Sequence, residues 1–164
     1  MKIAIISDTH GNLANIKRIL DWLAREKISF IIHCGDVAGS AALRDGFGKF
    51  DGKILLVMGN ADFGFKEDYE ILPDIKVFEK QGEVVLDKKR IAFAHYLEPA
   101  RDLANSGKYN LVFYGHTHRP WEEKIGDCRI VNPGEAAGQY QKSTFAVYNT
   151  QTEKLELKIL ELLA

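Results

Sequence analysis

The chain opens with Lys2-Ile-Ala-Ile-Ile-Ser-Asp8-Thr-His10, and its architecture can be worked out from this stretch. Residues 2–7 are β-branched and almost wholly apolar, which is typical of a strand covered on both faces. Asn12 can cap a helix, and apolar residues recur at three- and four-residue spacing over residues 13–26. A buried strand therefore leads through a short loop, which carries an acid and an imidazole, into an amphipathic helix.

The strand-loop-helix pattern repeats along the first half of the chain. Apolar strands are predicted over residues 28–34 and 54–58, with a helix weakened by two glycines over residues 41–50 between them. After Pro73, short apolar runs broken by polar turns predict antiparallel hairpins. The later predicted elements are strands at 75–78, 83–86, 90–95, 111–114, 121–125, 129–131, 144–148 and 155–160, and a helix at 99–105. This order predicts one α/β domain over residues 1–164, with two packed sheets and helices outside.

Composition limits the function classes. The 164 residues are 46% apolar and 27% charged, as in an ordinary globular protein. With 22 basic and 23 acidic residues, the chain has no overall charge that would attract nucleic acid. No apolar run approaches the roughly 18 residues of a membrane span. Cys34 and Cys128 lie in or beside apolar runs and are expected to be buried thiols. We therefore expect a cytoplasmic protein, with a homo-oligomer left open.

Side chains of metal-binding type follow the apolar runs. They are Asp8, His10, Asp36, Asn60, His95, His116 and His118. In open α/β sheets, ligands bind beyond the carboxyl ends of the strands, and these residues lie at such ends. Residues two apart on an extended chain point to the same side, so the pairs Asp8 with His10 and His116 with His118 can each converge if extended geometry persists. Gly35, Gly59 and Gly115 each precede a candidate ligand, where a missing Cβ allows close backbone approach.

The donor types indicate the kind of metal. Imidazoles, carboxylates and one amide oxygen suit transition metals better than calcium or magnesium, and the absence of cysteine argues against a structural thiolate site. Each motif alone has an ordinary explanation, such as a turn, a helix cap or a packed histidine. Four of the five histidines nevertheless fall in these motifs, so together they predict a catalytic two-metal centre. His33, the fifth histidine, is expected to pack or to support the site.

The order of the motifs resembles that of the calcineurin-like metallophosphoesterases, in particular their small single-domain phosphodiesterases. The motifs are Asp8-x-His10, Gly35-Asp36, Gly59-Asn60-Ala61-Asp62, His95 and Gly115-His116-Thr117-His118. The resemblance implies a four-layer α/β/β/α sandwich of two mixed β-sheets flanked by helices. It further implies one metal held by Asp8, His10, Asp36 and His118, and a second held by Asp36, Asn60, His95 and His116. Manganese is placed first among the divalent transition metals, with nickel, cobalt, iron and zinc as alternatives.

The implied activity is that of a phosphodiesterase that cleaves a small-molecule phosphoester with a metal-bridging hydroxide, Asp36 being the bridging ligand. A phosphomonoesterase and a protein-binding scaffold resembling the retromer subunit of this fold remain alternatives. Asn12, at the start of the first helix, could donate to phosphate oxygens or could be a plain cap.

The sequence departs from the family pattern near the leaving group. Many relatives carry a histidine or cysteine where this chain has Ala61, and a second histidine where it has Leu97. Protonation of the leaving group is then left to a metal-bound water or to Asp62, which could instead orient a metal ligand. Activated aryl diesters are therefore predicted to react much faster than alkyl diesters.

Two charged residues near the last motif carry open alternatives. Glu135 replaces the family's usual serine, and it is expected either to point away from the site or to select a substrate that carries a cation. Arg119 is expected to be a surface charge or a phosphate contact.

Overall fold

The computed structural model describes residues 1–69 and 72–163. Its strands are β1 (Lys2–Ile6), β2 (Phe30–His33), β3 (Lys53–Val57), β4 (Ile75–Phe78), β5 (Gln81–Leu86), β6 (Lys89–Ala94), β7 (Leu111–Phe113), β8 (Trp121–Ile125), β9 (Cys128–Asn132), β10 (Thr144–Asn149) and β11 (Leu155–Ile159). The α-helices are α1 (Leu13–Arg25), α2 (Lys66–Tyr69) and α3 (Leu97–Asn105), and single helical turns lie at Ala42–Gly46, Phe47–Lys49, Asn60–Asp62 and Leu160–Leu162.

The strands form two mixed sheets. The first has the order β11-β10-β1-β2-β3-β4 and the second the order β5-β6-β7-β9-β8. In the first sheet, β1 to β4 run parallel, and β10 pairs antiparallel with β1. In the second sheet, β6, β7 and β9 run parallel, while β5 and β8 are antiparallel edge strands.

Three apolar layers hold the sheets and helices together. α1 buries Ile16, Ile19 and Leu23 against the outer face of the first sheet. The two sheets pack face to face through a second layer that includes Phe93 and Phe113. The third layer joins α3 to the outer face of the second sheet. These layers confirm the predicted α/β/β/α sandwich, and they also bury the unpaired thiols of both cysteines.

One prediction about an individual element is confirmed in part and another is wrong. The weak helix expected over residues 41–50 is present as a π-helical turn and a 3-10 turn, and at Gly46 an added Cβ would come within 3.0 Å of Ile16 Cγ2 of α1. Residues 75–78 do not join a hairpin but form β4, which pairs parallel with β3 at the edge of the first sheet. Among the described residues, none of the helices has the length and apolar character needed to cross a membrane.

Candidate metal centre

The parallel strands of both sheets end at one edge of the sandwich, and all seven predicted ligands lie there. Strands β1 to β3 of the first sheet and strands β6 and β7 of the second lead into these residues. They form one group of Asp8, His10, Asp36 and His118 and another of Asp36, His95 and His116, with ligand atoms within 4.8 Å of one another in each group. Asn60 adjoins the second group, since its Oδ1 lies 3.2 Å from His95 Nε2. Asp36 belongs to both groups, and both sheets contribute to each.

The first group brings lone pairs together. His118 Nδ1 lies 3.0 Å from a carboxylate oxygen of Glu135, so in the neutral ring Nδ1 carries the proton and Nε2 presents a lone pair. That Nε2 lies 3.3 Å from His10 Nε2 and 3.3 Å from Asp8 Oδ1. Asp8 Oδ1 is buried, and it has no hydrogen-bond partner among the described residues. A cation among these atoms would satisfy all of them, so the first group fits a metal ion.

The second group has the same character. His95 Nδ1 donates to the backbone carbonyl of Cys34 at 2.7 Å, which leaves the Nε2 lone pair facing the site. His95 Nε2 lies 3.5 Å from Asp36 Oδ1. The His116 ring completes the group, with its centroid 5.1 Å from that of His95 and 4.7 Å from that of Tyr96. The amide, carboxylate and imidazole donors of this group also fit a divalent cation.

The electrostatics of the centre favour added positive charge. Burial alone would raise the pKa of Asp8, but the close contacts of its carboxylate with His118 and Ser7 outweigh burial and lower the pKa. For Asp36, burial prevails and raises the pKa, although His95 acts in the opposite direction. The Asp8 carboxylate, 3.3 Å from Nε2, raises the pKa of His118 against the effect of burial. These directions show that positive charge is favoured beside the two carboxylates.

The backbone makes these side chains converge by a route that differs from the prediction. β1 ends at Ile6, and the residues beyond it are not extended. Five of the candidates have left-handed backbone conformations: Asp8 (φ 53°), His10 (φ 41°), Asp36 (φ 61°), His116 (φ 65°) and His118 (φ 59°). Such values occur in only a few per cent of non-glycine residues and concentrate at functional sites. Tight turns after the strands, and not the alternation of side chains along an extended strand, therefore direct the ligands toward one another.

The glycines beside the ligands have the predicted role. A Cβ on Gly115 would lie 1.9 Å from Ser7 Oγ, and one on Gly59 would lie 2.1 Å from Asp36 Oδ1. Gly35 adopts φ +99°, and a Cβ there would lie 2.5 Å from His95 Nδ1. The close backbone approach expected at these three positions is confirmed.

Asp62 anchors the backbone and does not face the opening of the site. The residue is fully buried, and its carboxylate accepts N–H bonds from Asp36 (2.8 Å), Ala38 (2.9 Å) and Gly59 (2.9 Å). The Tyr69 hydroxyl donates a further bond at 2.9 Å. These contacts argue against Asp62 as the leaving-group proton donor and favour the alternative, in which it orients the loop that carries Asp36.

Asn12 is a helix cap with both ends of its amide engaged. Its Oδ1 accepts the N–H of Asn15 at 3.1 Å, and its Nδ2 donates to the Ala137 carbonyl at 3.0 Å. The cap is therefore present, and because the Nδ2 group has two hydrogens and only one is bonded here, the contact with phosphate oxygens remains a prediction.

His33 supports the site from beneath. Its Nδ1 accepts the N–H of Gly35 at 3.2 Å, so the proton of the neutral ring sits on Nε2, which lies 3.3 Å from Thr9 Oγ1. Burial lowers the pKa of His33 to about 4, which keeps the ring neutral near pH 7.

The structure adds contacts that the motifs did not predict. Glu135 is fully buried and contacts His118 from the side opposite Asp8, so it cannot select a substrate cation. Tyr140 lies beside His118, with ring centroids 5.2 Å apart. Arg119 and Tyr140 help to line a cavity of about 460 Å³ next to His116 and His118. Glu135 stood out as an unusual residue in the sequence, whereas nothing local in the sequence distinguishes Tyr140.

A carboxylate and imidazole centre at the edge of an α/β/β/α sandwich is the arrangement of a metal-dependent hydrolase. Residues 1–153 match the family model of the calcineurin-like phosphoesterase superfamily domain, and the chain belongs to that superfamily. This membership confirms the resemblance inferred from the motifs.

Relatives cover almost the whole chain. The chain is 31% identical over 167 residues to phosphodiesterase MJ0936 of Methanocaldococcus jannaschii, covering 98% of this chain and 100% of the relative. It is 27% identical over 150 residues to phosphodiesterase YfcE of Escherichia coli, covering 84% and 80%. A solved archaeal phosphodiesterase superposes with a TM-score of 0.88 at 28% identity, covering 97% and 99%. Vps29 of Chaetomium thermophilum shares the fold alone, with a TM-score of 0.74 at 16% identity over 97% and 95%.

Proposed function

We propose that this chain is a metal-dependent phosphodiesterase that hydrolyses a small-molecule phosphoester. The observation that carries the proposal is the sharing of Asp36 between two groups of lone-pair donors, because one carboxylate can then contact two cations. The family is one of phosphoesterases, and relatives at 31% and 27% identity are named phosphodiesterases.

The residues divide between two divalent cations as follows. Asp8, His10, Asp36 and His118 would hold the first cation, and Asp36, Asn60, His95 and His116 would hold the second. The donor set suits transition metals, with manganese first and nickel, cobalt, iron or zinc as alternatives. When bound, such a pair of cations supplies a water nucleophile of lowered pKa and positive charge for the phosphoryl oxygens.

The protein's own groups set the charge and access of the site. Asp8 and Asp36 neutralise only part of the charge of two divalent cations, which leaves the centre suited to an anionic phosphodiester. His116 is exposed, whereas Asp8 and His95 are buried, so substrate approaches from the His116 side. The backbone N–H of Ala61 donates to Asp36 Oδ1 at 2.8 Å and holds the shared carboxylate in place.

Metal titration of purified protein, together with a bis-aryl phosphodiester assay, tests the proposal. We expect metal-stripped protein to bind Mn²⁺ and to regain diester turnover. Asp36→Ala should lose both properties, and His116→Ala should fold normally but lose turnover. Glu26→Gln is the matched control, because Glu26 pairs with Lys2 at the opposite end of β1.

The outcomes separate the alternatives. Protein with neither bound metal nor turnover would point to the scaffold alternative. Preferential cleavage of an aryl phosphomonoester would point to a phosphomonoesterase. We further propose a substrate other than nucleic acid, because the overall charge is close to neutral, and a reducing, cytoplasmic location, which suits the two buried free thiols.

A further inference from the structure

Glu135 is a fully buried carboxylate with four N–H groups around it. Its Oε2 lies 3.0 Å from His118 Nδ1 and accepts the backbone N–H of Gln139 at 3.1 Å. Its Oε1 accepts the backbone N–H groups of Tyr140, at 2.6 Å, and of Gln141. A charge so deeply buried is tolerated only when its hydrogen bonds are complete, and these four contacts complete them.

The contact between Glu135 and His118 fixes the orientation of the His118 ring. With its Nδ1 proton directed at Glu135, the ring can turn only by losing a charge-assisted hydrogen bond. Its Nε2 is thereby held 3.3 Å from Asp8 Oδ1, inside the first group of metal-type donors. Imidazoles that bind metals generally donate their other N–H to such a partner, which fixes the ring and makes it a stronger ligand.

The contacts of Glu135 with the backbone of residues 139–141 position one wall of the cavity beside His118. The backbone of residues 139–141 wraps around the Glu135 carboxylate, and this places Tyr140 beside His118 and Gln141 on the cavity lining. The Tyr140 side chain is 75% exposed although its backbone is firmly held. An exposed aromatic ring beside the site, with Arg119 on the same lining, offers a flat face and a positive charge.

We propose that Glu135 is a positioning residue with two effects: it holds His118 ready for a divalent cation, and it holds Tyr140 ready to stack on an aromatic ester group of the substrate. The second effect rests on the proposed phosphodiesterase function, whereas the first does not. The cavity beside His118 is then the subsite for one ester group of an aryl phosphodiester.

Glu135→Gln tests the proposal. The amide has nearly the same shape as the carboxylate, but its NH₂ group would place further N–H donors against the N–H donors that already surround this position. We expect the Mn²⁺ affinity of the metal-stripped protein, measured by calorimetry, to fall about 10- to 100-fold. The KM for a bis-aryl phosphodiester should also rise. A merely structural role would lower the melting temperature but would leave Mn²⁺ affinity unchanged in the folded protein.

Tyr140→Ala separates the two effects. It should raise KM for the bis-aryl diester several-fold and leave Mn²⁺ affinity at the wild-type value, while Glu26→Gln should alter neither quantity. Wild-type Mn²⁺ affinity in folded Glu135→Gln would overturn the role toward His118. Wild-type KM in Tyr140→Ala would overturn the aromatic subsite.

A measurement on the wild-type protein keeps the proposal testable if Glu135→Gln does not fold. In ¹⁵N-histidine NMR spectra of zinc-loaded protein, His118 should carry its proton on Nδ1, and a proton on Nε2 would overturn the proposal. If the wild-type protein binds Mn²⁺ but cleaves no phosphodiester, the proposed function fails, while the metal titrations still decide the role of Glu135.

Discussion

Asp36 shows how single residues carry the site. Its Oδ1 lies toward His95 and its Oδ2 lies 3.7 Å from His10 Nε2, so one side chain faces both groups of donors. Its own N–H is bonded to Asp62 at 2.8 Å, which fixes the backbone in the left-handed conformation. A carboxylate held by its backbone in this way needs little rearrangement when a cation binds.

At position 61, the absence of a proton donor limits the range of esters. Ala61 contributes only its backbone N–H, to Asp36, and no acidic side chain of the neighbouring Asn60–Asp62 turn is free toward the site. We expect diesters of an acidic phenol to be cleaved much faster than dialkyl diesters, because a good leaving group departs without protonation. Rates measured on a series of leaving groups check this prediction.

A substitution that adds a proton donor at position 61 provides the control. Ala61→His should raise the rate on alkyl diesters more than the rate on aryl diesters, since it adds an acid where protonation matters. Equal rates of the wild-type protein on both ester classes would contradict the interpretation.

His33 predicts a pH-dependent loss of stability. Burial lowers its folded pKa to about 4, whereas an unfolded histidine has a pKa of about 6.5. The stability that comes from the neutral ring is therefore complete above pH 6.5 and is lost as pH falls toward 4. In metal-stripped protein, this group alone should cost about 2 kcal/mol between pH 7 and pH 5.

Urea unfolding of the wild type and of His33→Gln at both pH values tests this expectation. The variant should be less stable at pH 7, because a packed ring is lost, but its stability should fall less on acidification. Parallel pH dependence in the two proteins would show that His33 is not the group responsible.

At the residue scale, the sequence predicts the metal-type side chains but not what holds them. Asp8, Asp36 and the histidines stand out because they follow apolar strands. The contacts of Asp62 with Ala38, and of Glu135 with His118, join segments that are distant along the chain, and they follow from the turns of the folded backbone. Local sequence pattern therefore left open a proton-donor role for Asp62 that its hydrogen bonds argue against.

At the scale of elements, the ends of parallel strands and the glycines beside them build the site. The strands were predictable because continuous apolar runs mark strands buried on both faces. The pairing partner of β4 was not predictable, because the pattern of its four residues is compatible with pairing to β3 as well as to β5. The loop that follows each parallel strand must then turn within one or two residues, and glycine makes that turn sterically feasible.

Gly115 offers the sharpest test at this scale. In Gly115→Ala the new methyl group would collide with Ser7 Oγ at 1.9 Å and Asp8 Oδ2 at 2.7 Å. We expect a loss of about 1–3 kcal/mol in the free energy of unfolding, together with weaker metal binding, because Asp8 must move. Chemical denaturation and Mn²⁺ titration measure the two effects.

Gly48→Ala is the matched control, because an added Cβ there meets nothing within 4 Å and φ is not positive. It should leave stability unchanged or slightly raised, since alanine loses less chain entropy on folding. Equal behaviour of the two variants would show that the close packing around Gly115 does not matter for Asp8.

At the scale of the whole molecule, metal binding and folding are linked. The unfolded chain cannot bring these seven side chains together, so a metal that binds them stabilises the folded state. At a free Mn²⁺ concentration 100 times the Kd, each site should add about 2.7 kcal/mol to the free energy of unfolding. For a chain of this size, that corresponds to a rise in Tm of about 5–10 °C.

Thermal unfolding with Mn²⁺ and with chelator measures this rise. Asp36→Ala should abolish most of it, because Asp36 serves both groups of donors, whereas Glu26→Gln should retain it. An identical Tm with metal and with chelator in the wild type would contradict a site preformed by folding.

The division of the ligands between the two sheets has a mechanical consequence. Asp8, His10, Asp36 and Asn60 extend from the first sheet, and His95, His116 and His118 from the second. Contacts across the two sheets, among them His95 Nδ1 to the Cys34 carbonyl and the His116 N–H to Asp8, hold the two sets in alignment there. Protein interiors transmit strain because they are close-packed. A shift of one sheet relative to the other must therefore separate the ligands. Metal affinity then reports the alignment of the two sheets, and substitutions at Phe93 or Phe113, deep between the sheets, should change it.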